Sequence, residues 1–223
     1  MLIITNFSSS PEAIAERPAV ILTARVHPGE SNASFIMEGL IDYLVSSDLP
    51  GALDLRNRFV FKIVPMLNPD GVVVGNYRCS LSGMDLNRQY ITPSPRLHPE
   101  IFAVKQMIRK TLESRDLFFY CDFHGHSRAK NSFMYGCNNN KGAKEKRMKE
   151  KVFPLMYSKL NDCFNFEGCS FSIQKQKEAT ARVVLWKEFN LINSYTFECS
   201  FCGPNKGLYK DCHFTISMLL ELG

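Results

Sequence analysis

Between residues 19 and 198 the chain alternates short apolar runs with longer stretches whose apolar residues recur at helical spacing. That alternation is its strongest constraint on fold. "AVILTAR" (19–25) is an unbroken aliphatic run, the pattern of a strand buried on both faces. "NASFIMEGLIDYLVSS" (32–47) puts Phe35, Ile36, Leu40, Ile41 and Leu44 on one helical stripe. "RFVFKIVPM" (58–66) reads as a second strand, stopped by the turn signal "NPDG" (68–71). "HPEIFAVKQMIRKTL" (98–112) is helical with proline in its first turn, "DLFFYCDFH" (116–124) is a third strand, and "FMYGC" (133–137) a shorter one. A charged helix is expected over about 143–163, kinked at Pro154, leading to "CSFSIQ". The strand "INSYTFE" (192–198) and a helical "LYKDCHFTISMLLEL" (208–222) come last. This order implies an α/β fold with a mixed or mainly parallel sheet covered on both faces. No repeat or linker divides the chain, so 1–223 reads as one domain with a sizeable core.

Charge and cysteine content narrow the function classes. The formal net charge of +5 is too modest to point to nucleic acid. Much of it sits in "KGAKEKRMKEK" (141–151), with six Lys/Arg against two Glu. Such a run is either a solvated helix face or a landing strip for an acidic partner. "MLIITNFSSSPEAIAERP" lacks the features of a signal peptide, and no run reaches the ~18 apolar residues of a membrane span. The expectation is a soluble cytoplasmic protein with no membrane partner and reduced thiols. Its eight cysteines mostly lie in apolar strands, where they serve as small buried hydrophobes.

Four polar residues share a position in this pattern. His27 and Glu30, in "ARVHPGES" (24–31), lie just past the first long strand, His124 closes "YCDFH", and Glu198 closes "YTFE". Ligands of α/β sheets collect beyond the carboxyl ends of strands. Two histidines and a carboxylate leave one position of a tetrahedral zinc sphere open, with Glu198 spare as a general base. His27-x-x-Glu30 alone arises readily by chance, and a lone histidine is more often structural; the two further strand-end residues shift that balance. Cys199-x-x-Cys202 with Cys212-His213 offers a rival metal signal, but adjacent Cys212 and His213 rarely both reach one ion. His98 and His213 read as structural.

"HPGES", "PMLNPDGVVVGNYRCSLSGMDLNRQY", "CDFHGHSRAKNSFMYGC" and "INSYTFECSFCG" resemble the cytosolic carboxypeptidases, carboxypeptidase A-like zinc peptidases that trim glutamates from tubulin and other acidic tails. The likeness covers most of residues 20–210 in the family's order. It implies a three-layer α/β/α fold with a mixed, roughly eight-stranded sheet. It also implies one zinc per chain, held by His27, Glu30 and His124, with Glu198 activating water. Arg78 in "NYRC" matches the arginine that polarises the scissile carbonyl. Asn87 and Arg88 in "DLNR" match the clamp on the substrate's terminal carboxylate, and Asp85 an acid bonded to His27. Arg182, 16 residues before Glu198, matches a basic residue for the substrate's side-chain carboxylate, although "ATAR" stands where the family carries Gly-Thr-Gly-Arg. Otherwise Arg182 would pair with Glu178 or Glu188 on a surface helix. His126 is at best a wall residue, and Arg128 and Lys130 would add positive field.

The resemblance further implies a catalytic domain without the family's preceding β-sandwich and without its last closing stretch. The implied activity is removal of C-terminal glutamate from acidic protein tails, with tubulin as substrate and microtubules or cilia as the setting. Two other readings stay open. One is a non-catalytic fragment that binds acidic microtubule tails through 141–151; the other is a zinc deacylase of N-acyl amino acids.

Overall fold

The computed structural model describes residues 1–139 and 144–223. Its sheet comprises β1 (Leu2–Ile4), β2 (Ala19–Ala24), β3 (Val60–Val64), β4 (Leu117–His126), β5 (Ser132–Tyr135) and β6 (Ser194–Ser200), in the spatial order β1-β3-β2-β4-β6-β5. The central four strands run parallel, and β1 and β5 add antiparallel edges. Among the described residues the mixed sheet therefore has six strands, not the eight implied by the resemblance. On the edge of β5 away from β6, Phe164 and Ser170 meet it through isolated bridges, to Ser132 and Tyr135. A 3-10 turn at Phe166–Gly168 lies between those bridges, so no continuous ladder forms.

Helices cover both faces. α2 (Ser31–Val45) and α8 (Ile216–Glu221) pack where Val20, Leu22 and Ala24 point. α5 (Pro99–Leu112) and α7 (Ala181–Phe189) cover the opposite face, against Ile21 and Tyr120. Every residue of β2 is buried, as expected for a strand between two layers. The short helices are α1 (Pro11–Glu16), α3 (Pro50–Arg58) and α4 (Pro69–Val74). "NPDG" thus opens a helix as well as ending a strand: Asn68 caps α4 by accepting from the Gly71 amide at 3.0 Å.

The charged helix narrows to α6 (Lys149–Leu160), and residues 141–143 of the basic run lie outside the described residues. Pro154 sits inside α6 and cannot donate to the Glu150 carbonyl one turn earlier. The Tyr195 hydroxyl donates to that carbonyl instead, at 2.9 Å. The expected helix over 208–222 forms only at Ile216–Glu221, where Thr215 caps it by accepting from the Met218 amide. The residues before it are tied to the preceding loop, Asp211 N to Pro204 O and Phe214 N to Cys202 O.

Chain order locates the crevice. From β2 the chain moves outward to β3, then returns to lay β4 on the other side of β2. The carboxyl ends of β2 and β4 flank this reversal, where the two crossovers part and leave an opening.

Candidate metal centre and substrate cleft

His27 reaches that opening because the chain turns sharply after β2. Arg25 adopts the left-handed region, φ 59°, which costs a non-glycine residue free energy. Its guanidinium holds the turn, donating from Nε to the Pro28 carbonyl and from Nη1 to Ser34 Oγ, each at 2.7 Å. Glu30 stands at the amino-terminal cap of α2 and makes no capping bond, so its carboxylate is free to cross to β4. There Glu30 Oε2 accepts from the Gly125 amide at 2.9 Å. Position 125 suits glycine: a Cβ would lie 2.5 Å from Asn32 Oδ1.

The three residues converge. Glu30 Oε1 lies 2.7 Å from His27 Nδ1, Glu30 Oε2 lies 2.9 Å from His124 Nδ1, and the two Nδ1 atoms are 3.2 Å apart. One ligand atom from each falls within 4.8 Å of the others, and all three residues are buried. Each imidazole turns its other nitrogen to an acid: His27 Nε2 is 3.1 Å from Asp85 Oδ1, and His124 Nε2 is 2.7 Å from Asp122 Oδ2. Carboxylates only accept, so each Nε2 faces its acid with a proton, which leaves Nδ1 as the atom each ring would offer to a cation. Lone pairs of two nitrogens and a carboxylate crowded together are a donor set suited to a borderline cation such as Zn²⁺. The side chains also tune one another. Burial opposes ionising Glu30, but His124 and His27 outweigh it and hold Glu30 far below the usual carboxylate range. Burial likewise pulls His124 down, and Asp122 and Glu30 overcome it to push His124 well above 6.5.

A model of the family described as "Zinc carboxypeptidase" matches residues 1–206. The chain belongs to that family. It is 52% identical over 224 residues to cytosolic carboxypeptidase 2 of Macaca fascicularis, covering 100% of this chain and 26% of the relative. To cytosolic carboxypeptidase 3 of Bos taurus it is 50% identical over 209 residues, covering 93% of this chain and 21% of the relative. The chain thus spans about a quarter of the length of these relatives. In fold it resembles a metallo-carboxypeptidase from Burkholderia cenocepacia (TM-score 0.81, 24% identity, 99% of this chain and 57% of that one). A Pseudomonas aeruginosa metallo-carboxypeptidase in complex with (2-guanidinoethylmercapto)succinic acid is similar (TM-score 0.80, 24% identity, 100% and 60%).

In this zinc carboxypeptidase fold Glu198, Arg78, Asn87, Arg88 and Arg182 line a cleft of about 620 Å³ over the His27–Glu30–His124 triangle. Glu198 lies on its wall; burial, reinforced by the Glu30 carboxylate and only partly offset by His124, raises it from 4.5 to about 7. Arg78 spends Nε and Nη2 on Asp85 Oδ2, at 3.0 and 2.8 Å, which leaves Nη1 for another partner. Burial works against ionising Asp85 too, yet His27, Arg78 and Arg88 keep it well below the ordinary range. Arg88 lines the cleft, its Nη1 donating to the Asn87 carbonyl at 3.0 Å. Asn87 is held by the Ala181 amide on Oδ1, with Nδ2 3.3 Å from His124 Nε2.

Arg182 is 4% exposed and lines the same cleft. It does not pair with Glu178 or Glu188, which face Lys187 and Lys105. Its Nη1 donates to the Gly136 carbonyl, its guanidinium lies 5.9 Å from the Tyr135 ring centroid, and its buried Nε has no hydrogen-bond partner. His126 is a wall residue: its Nδ1 accepts from the Arg128 and Ala129 amides. Arg128 lines the cleft, whereas Lys130 is exposed outside it. Among the described residues, His27, Glu30 and His124 form the one group of at least three potential ligands close enough to share an ion; the Cys199–His213 set does not assemble.

Two residues at or behind the cleft wall escaped sequence reasoning. Lys177 joins the wall, where burial and nearby Arg88 lower its pKa. Asp122 sits inside an apolar strand run, two residues before His124 on the same strand face, a spacing that marks it as a neighbour.

Proposed function

We propose that the protein is a zinc-dependent carboxypeptidase that removes C-terminal glutamate from acidic protein tails, tubulin among them, in the cytoplasm. The observation carrying this reading is the convergence of His27, Glu30, His124 and Glu198 in a cleft also lined by Arg78, Arg88, Arg128, Lys177 and Arg182. Five cations around one acid–base pair favour a substrate with several carboxylates over a neutral peptide.

His27, Glu30 and His124 would hold one zinc, which supplies Lewis acidity and makes water nucleophilic near neutral pH. Glu198 takes the proton of the attacking water and passes it to the leaving amine. Arg78 turns its unspent Nη1 to the charge that develops on the scissile carbonyl. Arg88, with Asn87, receives the terminal carboxylate; the planar guanidinium fits it as lysine cannot. Requiring that carboxylate makes the reaction an exopeptidase cleavage. Arg182 meets the acid of the last side chain, satisfying its orphaned Nε.

The test is release of free glutamate from a peptide ending in consecutive glutamates, by zinc-loaded protein. Release that stops when the peptide's carboxyl terminus is amidated supports the proposal. Hydrolysis of N-acyl amino acids with no cleavage of the peptide assigns the site to deacylation. Binding of acidic tails unchanged by a chelator, without cleavage, assigns it to a non-catalytic binder.

A further inference from the structure

The two candidate ligand histidines rest on unlike acids. Asp85, behind His27, has an 18% exposed side chain and shares its oxygens with Arg78 and, at 3.7 Å, Arg88. Asp122, behind His124, has a 1% exposed side chain and makes no salt bridge to a lysine or arginine among the described residues. A carboxylate split among two guanidiniums and an imidazole gives the imidazole less than one with no guanidinium to share it. Water screens Asp85 in part and does not reach Asp122.

Asp122 is also held in place. Thr23 Oγ1, from the neighbouring strand β2, donates to Asp122 Oδ1 at 2.6 Å. Thr23 has one hydroxyl proton, spent on an acceptor-only carboxylate, so the Tyr120 hydroxyl 2.8 Å away must donate to Thr23. Burial, with Asp122 next, raises Tyr120 well above 10, so that phenol keeps its proton. Thr23, Tyr120 and Asp122 are all 0% exposed. The donors therefore run one way, Tyr120 to Thr23 to Asp122 Oδ1, while Asp122 Oδ2 takes the proton of His124 Nε2. A buried carboxylate with no Lys or Arg counter-ion costs free energy, and this one spends it on fixing a single ring.

We propose that Asp122, locked by Thr23, is the positioning residue that fixes the tautomer and orientation of His124 and sets how tightly the site holds its metal, more strongly than Asp85 does through His27. This rests on reading His27, Glu30 and His124 as ligands.

The experiment measures zinc affinity of the purified chain by competition with a chromophoric chelator, alongside thermal melts of the metal-free proteins. Asp122→Asn is expected to weaken zinc binding by 10–100-fold, and Asp85→Asn by less. Cobalt-loaded Asp122→Asn should show a visible absorption spectrum shifted from that of the wild type, which a purely structural role would not produce. Should Asp122→Asn fail to fold, Thr23→Val removes only the hydroxyl and is expected to lose about tenfold, with Thr23→Ser restoring wild-type affinity. A folded Asp122→Asn with wild-type affinity and cobalt spectrum overturns the proposal. So does equal loss in Thr23→Val and Thr23→Ser, or a larger loss in Asp85→Asn. Wild-type protein that binds no zinc removes the ligand reading itself, and this inference with it.

Discussion

His124 and Glu198 are register partners on the adjacent parallel strands β4 and β6. Side chains at paired positions leave the same face of the sheet about 4.8 Å apart, so a candidate metal ligand and the candidate base are carried by one rigid ladder. Glu30 crosses from α2 to the same point and is tied to it by the Gly125 amide. The site is thus built on strands and a helix terminus, and its precision comes from the sheet's core.

Glu198→Gln keeps the side chain's shape and removes its basicity. Turnover should fall by roughly 10²–10⁴-fold, with zinc affinity nearly unchanged. Steady-state kinetics on a glutamate-tailed peptide together with metal analysis check this, and unaltered turnover would assign proton transfer elsewhere.

Arg182→Gln should act on substrate choice. Loss of a charged hydrogen bond to a side-chain carboxylate is worth about 1.5–3 kcal/mol, roughly 10–100-fold in kcat/KM for a terminal glutamate. A terminal glutamine should be affected far less. Equal losses for both would show that Arg182 shapes the wall and does not read the acid.

Metal-free protein should carry a pH signature of Glu198. Its carboxyl rises from 4.5 to about 7 on folding, so across that window the folded chain keeps a proton the unfolded chain has released. Stability from this group is present below 4.5 and is lost as pH rises toward 7. Glu30 and Asp85, both depressed, act in the acid range below it. Urea unfolding in the presence of a chelator should therefore show Glu198→Gln gaining on the wild type as pH rises. A constant difference across the window contradicts the assignment.

Much of this site was legible because its residues sit where patterns break. His27 and Glu30 interrupt the passage from an aliphatic run to a helical stripe, and His124 and Glu198 each close an apolar run. Asp122 was not legible in the same way: among Tyr120, Cys121 and Phe123 it looks like a flaw in a strand, and its partner Thr23 comes from 99 residues away. Arg182 shows the same limit, since nothing local says whether a helix faces solvent or a cleft. The eight-strand count came from resemblance and not from the runs themselves, which numbered five; the sixth strand, Leu2–Ile4, is too short to show period-two alternation. Pro154 predicts a disturbed helix until Tyr195, distant in sequence, supplies the missing donor.

That last pairing can be tested away from the cleft. Tyr195→Phe leaves the buried Glu150 carbonyl next to Pro154 without its hydroxyl donor and should cost about 1–3 kcal/mol of stability. Denaturant unfolding measures the loss, and zinc affinity should not move. An unchanged midpoint would mean that α6 relaxes without that bond.

The most direct measurement is zinc content per folded chain, by elemental analysis, for the wild type, Glu30→Ala and His124→Ala. One equivalent of zinc in the wild type and almost none in either variant, with all three folded, is the expected result. A folded wild-type chain that takes up no zinc, or variants that hold as much as it does, would contradict the metal centre on which the proposed chemistry stands.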